Sequence, residues 1–129
     1  MDKKARLARL QEECAAYFNE LYAPDQKVYV FGDGDPQARV MLVGEAPGAQ
    51  EALLGKPFVG KAGKNLDEFL ERTQLKRAEL YITNTVKFRP VKISDKGRAS
   101  NRTPTREEIG LFLPWLQREI DLIEPQLIV

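Results

Sequence analysis

The sequence contains no histidine and a single cysteine, Cys14. The first absence removes the commonest general base and the commonest metal ligand at neutral pH. The second rules out an internal disulfide. It also rules out a structural zinc or an iron–sulfur cluster, each of which needs about four protein ligands. No apolar run approaches the ~20 residues of a membrane span. The amino terminus, MDKKARLARL, has no signal-peptide apolar core, so the reading is a cytoplasmic protein with no membrane partner. Charge of one sign is lacking as well. Twenty Lys and Arg against nineteen Asp and Glu leave a net charge of +1, so only local clustering could attract nucleic acid. The composition that remains, 43% hydrophobic and 30% charged, is that of a globular protein. Its 129 residues suit one domain, 1–129, large enough to bury a core.

Residues 3–22 read as an amphipathic helix, with Leu7, Leu10, Cys14, Phe18 and Leu21 at helical spacing and Pro24 as the stop. Packing on a sheet explains that face better than a partner does, and Cys14 reads as a small buried hydrophobe. Residues 28–31, VYVF, form a short β-like run before a turn cluster, GDGDP, at 32–36. Two acids between glycines suggest calcium, but the ligand spacing and closing Glu of that loop are absent. Residues 39–43 are a strand and 64–72 a helix with an apolar stripe of Leu66, Phe69 and Leu70. Residues 80–86, LYITNTV, are a second strand rich in β-branched and aromatic side chains. Strand, helical crossover and strand make a right-handed parallel βαβ unit. Residues 105–123 form a long helix. It opens on a capping box of Thr105 and Glu108 and buries Ile109, Phe112, Leu113, Leu116 and Ile120. Pro114 inside it predicts a kink or a lost hydrogen bond. Residues 126–129, QLIV, begin a third strand.

Chemistry concentrates where the strands end. Gly44-Glu45-Ala46-Pro47-Gly48 follows the first strand, a glycine-rich turn holding Phe58 comes next, and Asn84 lies near the end of the second strand. Parallel strands present their carboxyl ends at one edge, where open α/β sheets bind ligands. GEAPG lacks the Walker spacing with its Lys-Ser/Thr pair, and GxGxxG is absent. Amides at glycine turns can still cradle an anion. Phe58 could stack a flat ring, or merely cover the sheet. Asn84 could read one edge of a nucleobase with its paired donor and acceptor, or merely cap a turn. Glu45 or Glu51 could orient a water or act as a base, or be solvated. Between residues 87 and 106 the basic residues are Lys87, Arg89, Lys92, Lys96, Arg98, Arg102 and Arg106, against one acid, Asp95. That loop is an electrostatic footprint for phosphate backbone on an otherwise neutral protein.

GEAPG, PFVGKAG, YITN-x-VK-x-RP and PT-x-EEI, in that order from about Phe31 onward, resemble the family-4 uracil-DNA glycosylases. The resemblance implies a three-layer α/β/α sandwich on a short, mainly parallel sheet. It implies uracil flipped out of DNA and hydrolysis of its N-glycosidic bond, a step of base excision repair. By motif, Phe58 would stack on the uracil and Asn84 would tell uracil from cytosine. Glu51 would lie near C5 and reject thymine, and Glu45 would help position the hydrolytic water. Gly44, Ala46, Pro47 and Gly48 would complete the pocket, and the basic loop, Lys87 to Arg102, would hold phosphates. Which lesions are accepted (uracil, hypoxanthine or xanthine) stays open.

Two departures stand out. The family's 4Fe–4S cluster uses four cysteines, but the corresponding positions here include Phe88 and Phe112, with nothing suitable near Tyr17 and Glu20. The expectation is no cofactor, no metal, and aromatic packing in the cluster's place. The family's His-Pro-Ser type motif is also missing, so the chain reads as lacking the final strands, with very weak or no activity. Two alternatives remain. One is a non-catalytic nucleobase-binding module that keeps the fold. The other is a small-molecule hydrolase using Glu45. A bare strand edge at 126–129 makes a homodimer conceivable.

Overall fold

A computed structural model describes residues 2–129, residue 62 by its backbone alone. The chain begins with helix α1 (Lys3–Leu21), capped by the Asp2 carboxylate, which accepts from the Ala5 amide at 2.7 Å. There follow a two-residue strand β1 (Asp33–Gly34), strand β2 (Val40–Gly44), the short helix α2 (Ala49–Leu54) and helix α3 (Lys61–Thr73). A 3₁₀ turn (Arg77–Glu79) leads into strand β3 (Leu80–Asn84). A hairpin of β4 (Val91–Ile93) and β5 (Ala99–Asn101) precedes helix α4 (Arg106–Ile123), and strand β6 (Leu127–Ile128) comes last.

The central sheet has the order β1-β3-β2-β6. β3, β2 and β6 run parallel, and only β1 is antiparallel. The expected mixed α/β architecture with a mainly parallel sheet is therefore present. The period of two along each strand sorts side chains between the faces. Met41 and Tyr81 meet Leu7 and Leu10 of α1 and Leu116, Leu122 and Ile123 of α4. Leu42, Leu80 and Ile82 point the other way, onto Leu66 of α3, with Phe58, Phe69 and Leu70 beside them. Helices thus cover both faces, and the carboxyl edge of the sheet stays uncovered for the loops that follow β2 and β3.

Several elements differ from expectation. The 28–31 run makes no strand. Tyr29 forms one isolated bridge with Phe88, because the segment available to pair with it is loop rather than sheet. Part of the following turn cluster is instead β1, an edge strand on β3. β3 ends at Asn84, two residues early, and the Thr85 and Val86 amides donate to the Gly44 and Glu45 carbonyls at 2.9 and 3.0 Å. α4 has the capping box, with Thr105 and Glu108 bonded reciprocally, but Leu113 is exposed and Glu119 is buried in its stripe. The helix is continuous through Pro114, which lies with Gly110 on the exposed side, where water can reach the carbonyl left without a donor. Leu21 is exposed too, since α1 outruns the surface it packs on. The loop after GEAPG contains α2, and the basic loop is a hairpin; neither has a long apolar pattern.

A third layer of packing joins the second half of α1 to the first half of α4. Phe18 and Phe112 stack face to face, their ring centroids 3.9 Å apart and their planes 10° from parallel. Phe88 lies 5.8 Å from Phe112, and Tyr22 meets Phe88 edge-on at 5.6 Å. Cys14 is buried in the same cluster, and burial first of all pushes its thiol up to about 12, so it remains protonated and inert.

Candidate functional site

β2 and β3 pair in register so that Gly44 lies opposite Asn84 at their common carboxyl end. By the same alternation, both face the side that carries Phe58. A Cβ on Gly44 would lie 2.3 Å from Asn84 Oδ1 and 2.7 Å from Phe58 Cζ. The three residues therefore converge on one spot, and only glycine leaves room there. Asn84 is buried. The Thr83 hydroxyl and the Lys87 ammonium that bond to it both donate to its backbone carbonyl. Its side-chain amide, a donor beside an acceptor, is unpaired among the described residues and faces the convergence point.

Phe58 has φ 55°, a left-handed conformation that is costly for an aromatic residue. Its turn is gripped from several directions. Glu51, buried on α2, accepts from the Val59 amide at 3.0 Å and the Gly60 amide at 2.5 Å through Oε2, and from the Gly48 amide at 3.0 Å through Oε1. Burial opposes its charge, but the Gly60, Gly48 and Val59 donors outweigh burial and hold the carboxyl below the usual range. From the other side, Arg77 donates to the Pro57 carbonyl at 2.6 Å and the Phe58 carbonyl at 3.1 Å. Gly63 lets α3 start against this turn, for a Cβ there would sit 2.3 Å from the Phe58 carbonyl oxygen. Arg77 escaped the sequence reading because it sits nineteen residues after Phe58 in an ordinary polar stretch.

Glu45 is exposed on the GEAPG turn, Pro47 is buried under it, and Gly48 begins α2. An open groove of about 550 Å³ separates Glu45, Ala46, Pro47 and Gly48 from Pro90, Lys92, Asn101 and Arg102 on the hairpin side. The predicted pocket backbone and part of the basic segment therefore face each other.

The basic residues divide. Lys92, Lys96 and Arg98 are exposed on the hairpin. Arg89 is half-buried and donates to Asn101 Oδ1 at 2.7 Å. Arg102 forms a two-pronged ion pair with Glu108, at 2.7 and 3.0 Å, which holds the Glu108 carboxyl down to about 2. Lys87 is a correction: it is buried and does not reach the surface. Its ammonium bonds the Thr83 hydroxyl at 2.7 Å, the Asn84 carbonyl and the Glu119 carboxylate. Glu119 accepts in turn from the Tyr81 hydroxyl at 2.6 Å and from Thr83 at 3.3 Å. A buried lysine must be paired, and this one fixes the chain behind Asn84 rather than a phosphate. The Glu119 partner was not foreseen, because a lone glutamate on a helix carries no local signal.

The donor set at the positions that correspond to cluster ligands does not fit a metal group. Phe88 and Phe112 offer hydrocarbon rings, and these are packed against Phe18 and Tyr22. Among the described residues, no three His, Cys, Asp or Glu side chains come together as metal ligands, and no helix is long and apolar enough to cross a membrane.

Comparison with known proteins adds to this geometry. The family model of the uracil DNA glycosylase superfamily matches residues 31–129. A type-4 uracil-DNA glycosylase of Pyrobaculum aerophilum is 44% identical over 104 residues, 81% of this chain and 49% of the relative. One from Archaeoglobus fulgidus is 45% identical over 101 residues, 78% of this chain and 47% of the relative. One from Sulfurisphaera tokodaii is 46% identical over 99 residues, 76% and 41% of the two chains. The chain spans about half the length of the curated relatives it matches.

Proposed function

This chain belongs to the uracil-DNA glycosylase superfamily, and from that premise we propose that it holds a uracil flipped out of DNA for hydrolysis of the N-glycosidic bond. The observation that carries this reading is the convergence of Gly44, Phe58 and the unpaired Asn84 amide at one sheet edge. Flipping costs a few kcal/mol. Stacking on Phe58 returns about 1–3 kcal/mol, the usual worth of a base on an aromatic ring. Asn84 supplies selectivity. Its Oδ1 accepts from uracil N3–H while its Nδ2 donates to the neighbouring carbonyl. Cytosine presents an acceptor and a donor in the reverse order, so both buried groups would face like partners. Glu51 and α2 wall the side where thymine would carry its methyl group.

In the bond-breaking step a water oxygen attacks C1′, the C1′–N1 bond breaks, uracil leaves with the electron pair on N1, and the proton shed by the water passes to solvent. Glu45, exposed on the turn whose carbonyl is anchored by the Val86 amide, is positioned to orient that water. A histidine donor to the departing anion would contribute on the order of 3 kcal/mol. The 129-residue polypeptide has no histidine and should bind uracil-containing DNA far better than it cleaves it. Lys92, Lys96, Arg98 and Arg89 supply the phosphate contacts. Residues 2–129 act as one domain in the cytoplasm, with aromatic rings in place of an iron–sulfur group. Exposed Leu127 and Ile128 of the edge strand β6, with Val129 beside them, support pairing with a second copy, which light scattering would detect.

The test is binding of a single-stranded oligonucleotide carrying one 2′-fluoro-2′-deoxyuridine, whose fluorine resists base loss, against its cytosine and thymine counterparts. Preference for the uracil strand is expected. Equal binding of all three would overturn the reading.

A further inference from the structure

Phe58 is the one residue of the site held in a backbone conformation that its side chain disfavours. Strain of that kind persists only where the surroundings over-determine it, and it clusters where a side chain must point one way for function. The surroundings here are two charged side chains from distant elements. On one side the Glu51 carboxylate accepts from the amides of Val59 and Gly60, the two residues after Phe58. On the other the Arg77 guanidinium donates to the carbonyls of Pro57 and of Phe58 itself. The turn is thus held on its donors by an anion and on its acceptors by a cation. The two charges lie on either side of the peptide bonds that set φ and ψ of Phe58.

We infer that Arg77 is a positioning residue for base recognition, working with Glu51 as the two jaws of a clamp that holds Phe58 in its stacking conformation. The inference rests on the reading of Phe58 as a uracil platform. Without Arg77, the Pro57 and Phe58 carbonyls lose their charged donor, and the turn can relax to a negative φ. The ring then leaves the spot beside Gly44 and Asn84. Arg77 needs no contact with DNA for this effect, which separates it from the hairpin cations.

The experiment measures binding of wild type and variants to the 2′-fluoro-2′-deoxyuridine oligonucleotide and to its cytosine counterpart by fluorescence anisotropy. Arg77→Met should lower the preference for the uracil strand roughly tenfold, the size of one lost base–aromatic stack. Affinity for the cytosine strand should stay unchanged, and Arg77→Lys should restore part of the preference. In a Phe58→Ala background, Arg77→Met should cost nothing further. Equal losses on both strands would make Arg77 a phosphate contact and overturn the inference, and so would a full additional loss in the Phe58→Ala background. Thermal unfolding gives an independent reading. Phe58→Gly removes the disfavoured conformation, so Arg77→Met should lower the Tm more in that background than in wild type, where relaxation of the strained turn returns part of the loss. Equal shifts would contradict the clamp. If the wild type shows no uracil preference, the functional reading fails, and the unfolding comparison alone decides whether the clamp exists.

Discussion

Two regions of this molecule handle buried space in opposite ways. At the carboxyl edge of the sheet, Gly44 withholds a side chain, Phe58 is held in a disfavoured conformation, and the side-chain amide of the buried Asn84 faces them. Between α1 and α4, by contrast, Phe18, Phe88 and Phe112 fill their space with stacked rings. The first region leaves space beside Asn84 that a ligand could fill; the second fills its space with rings, and the buried hydroxyls of Tyr22 and Tyr29 at its margin have no partner among the described residues. The resemblance places an iron–sulfur cluster in the second region and the base pocket in the first. This chain keeps the open glycine-lined edge while hydrocarbon rings fill the other position. Lys87 lies at the border, between Val86 and Phe88 of the aromatic layer, with its ammonium against the Asn84 carbonyl.

The comparison breaks most visibly at that border. Lys87→Met leaves the Glu119 carboxylate buried beside Tyr81 and Thr83 without its cation and should cost about 3–5 kcal/mol, read by urea unfolding. Adding Glu119→Leu should recover most of that loss, because a packed apolar pair can replace a buried ion pair. No recovery would mean that the network contributes more than charge compensation.

Phe112→Ala tests the aromatic layer and should cost about 3–5 kcal/mol by removing a fully buried ring from a stack. The folded fraction should keep the wild-type preference for the uracil strand. A change in preference at constant folding would mean that the two regions are coupled.

Acid offers a smaller effect outside both regions. The Arg102 guanidinium bonded to Glu108 holds its carboxyl down to about 2 in the folded chain, from an ordinary value of 4.5. A depressed carboxyl stabilises fully above its unfolded value and loses that contribution as the pH falls through the folded one. Stability should therefore decline between about pH 4.5 and 2 by on the order of 2 kcal/mol, after discounting for solvent around Arg102. Glu108→Gln should flatten that part of the profile.

The smallest effects belong to the hairpin. Replacing Lys92, Lys96 and Arg98 by Ala should leave stability within about 0.5 kcal/mol, since all three are exposed. Each replacement should reduce the salt slope of oligonucleotide binding by about 1 and leave base preference intact. Retention of the full slope would remove the hairpin from the DNA surface.

The sheet, its two main strands and the long helices were readable from the sequence because apolar periodicity and turn residues are local signals. GEAPG and Asn84 were readable as a shared edge because parallel strands end together. The Phe58 turn was visible only as glycine and proline. Glu51 was singled out, but as a group for a water or for C5 rather than as a grip on this turn, and Arg77 was missed, since both meet the turn through backbone groups and leave no pattern in the chain. Lys87 misled for a related reason: in a run of seven basic residues, nothing local marks the one that folds inward against a helix thirty-two residues on. The hairpin was missed because β4 and β5, three residues each, are almost wholly polar or exposed.

The central claim is that Phe58 and Asn84 together recognise a flipped uracil, and one titration tests it most directly. Labelled single strands carrying 2′-fluoro-2′-deoxyuridine or cytosine at one position are titrated at fixed salt with wild type, Phe58→Ala and Asn84→Ala. The wild type should prefer the uracil strand. Phe58→Ala should lose affinity for it by about 1–3 kcal/mol, and Asn84→Ala should bind both strands alike. Identical preference in all three proteins would contradict the account.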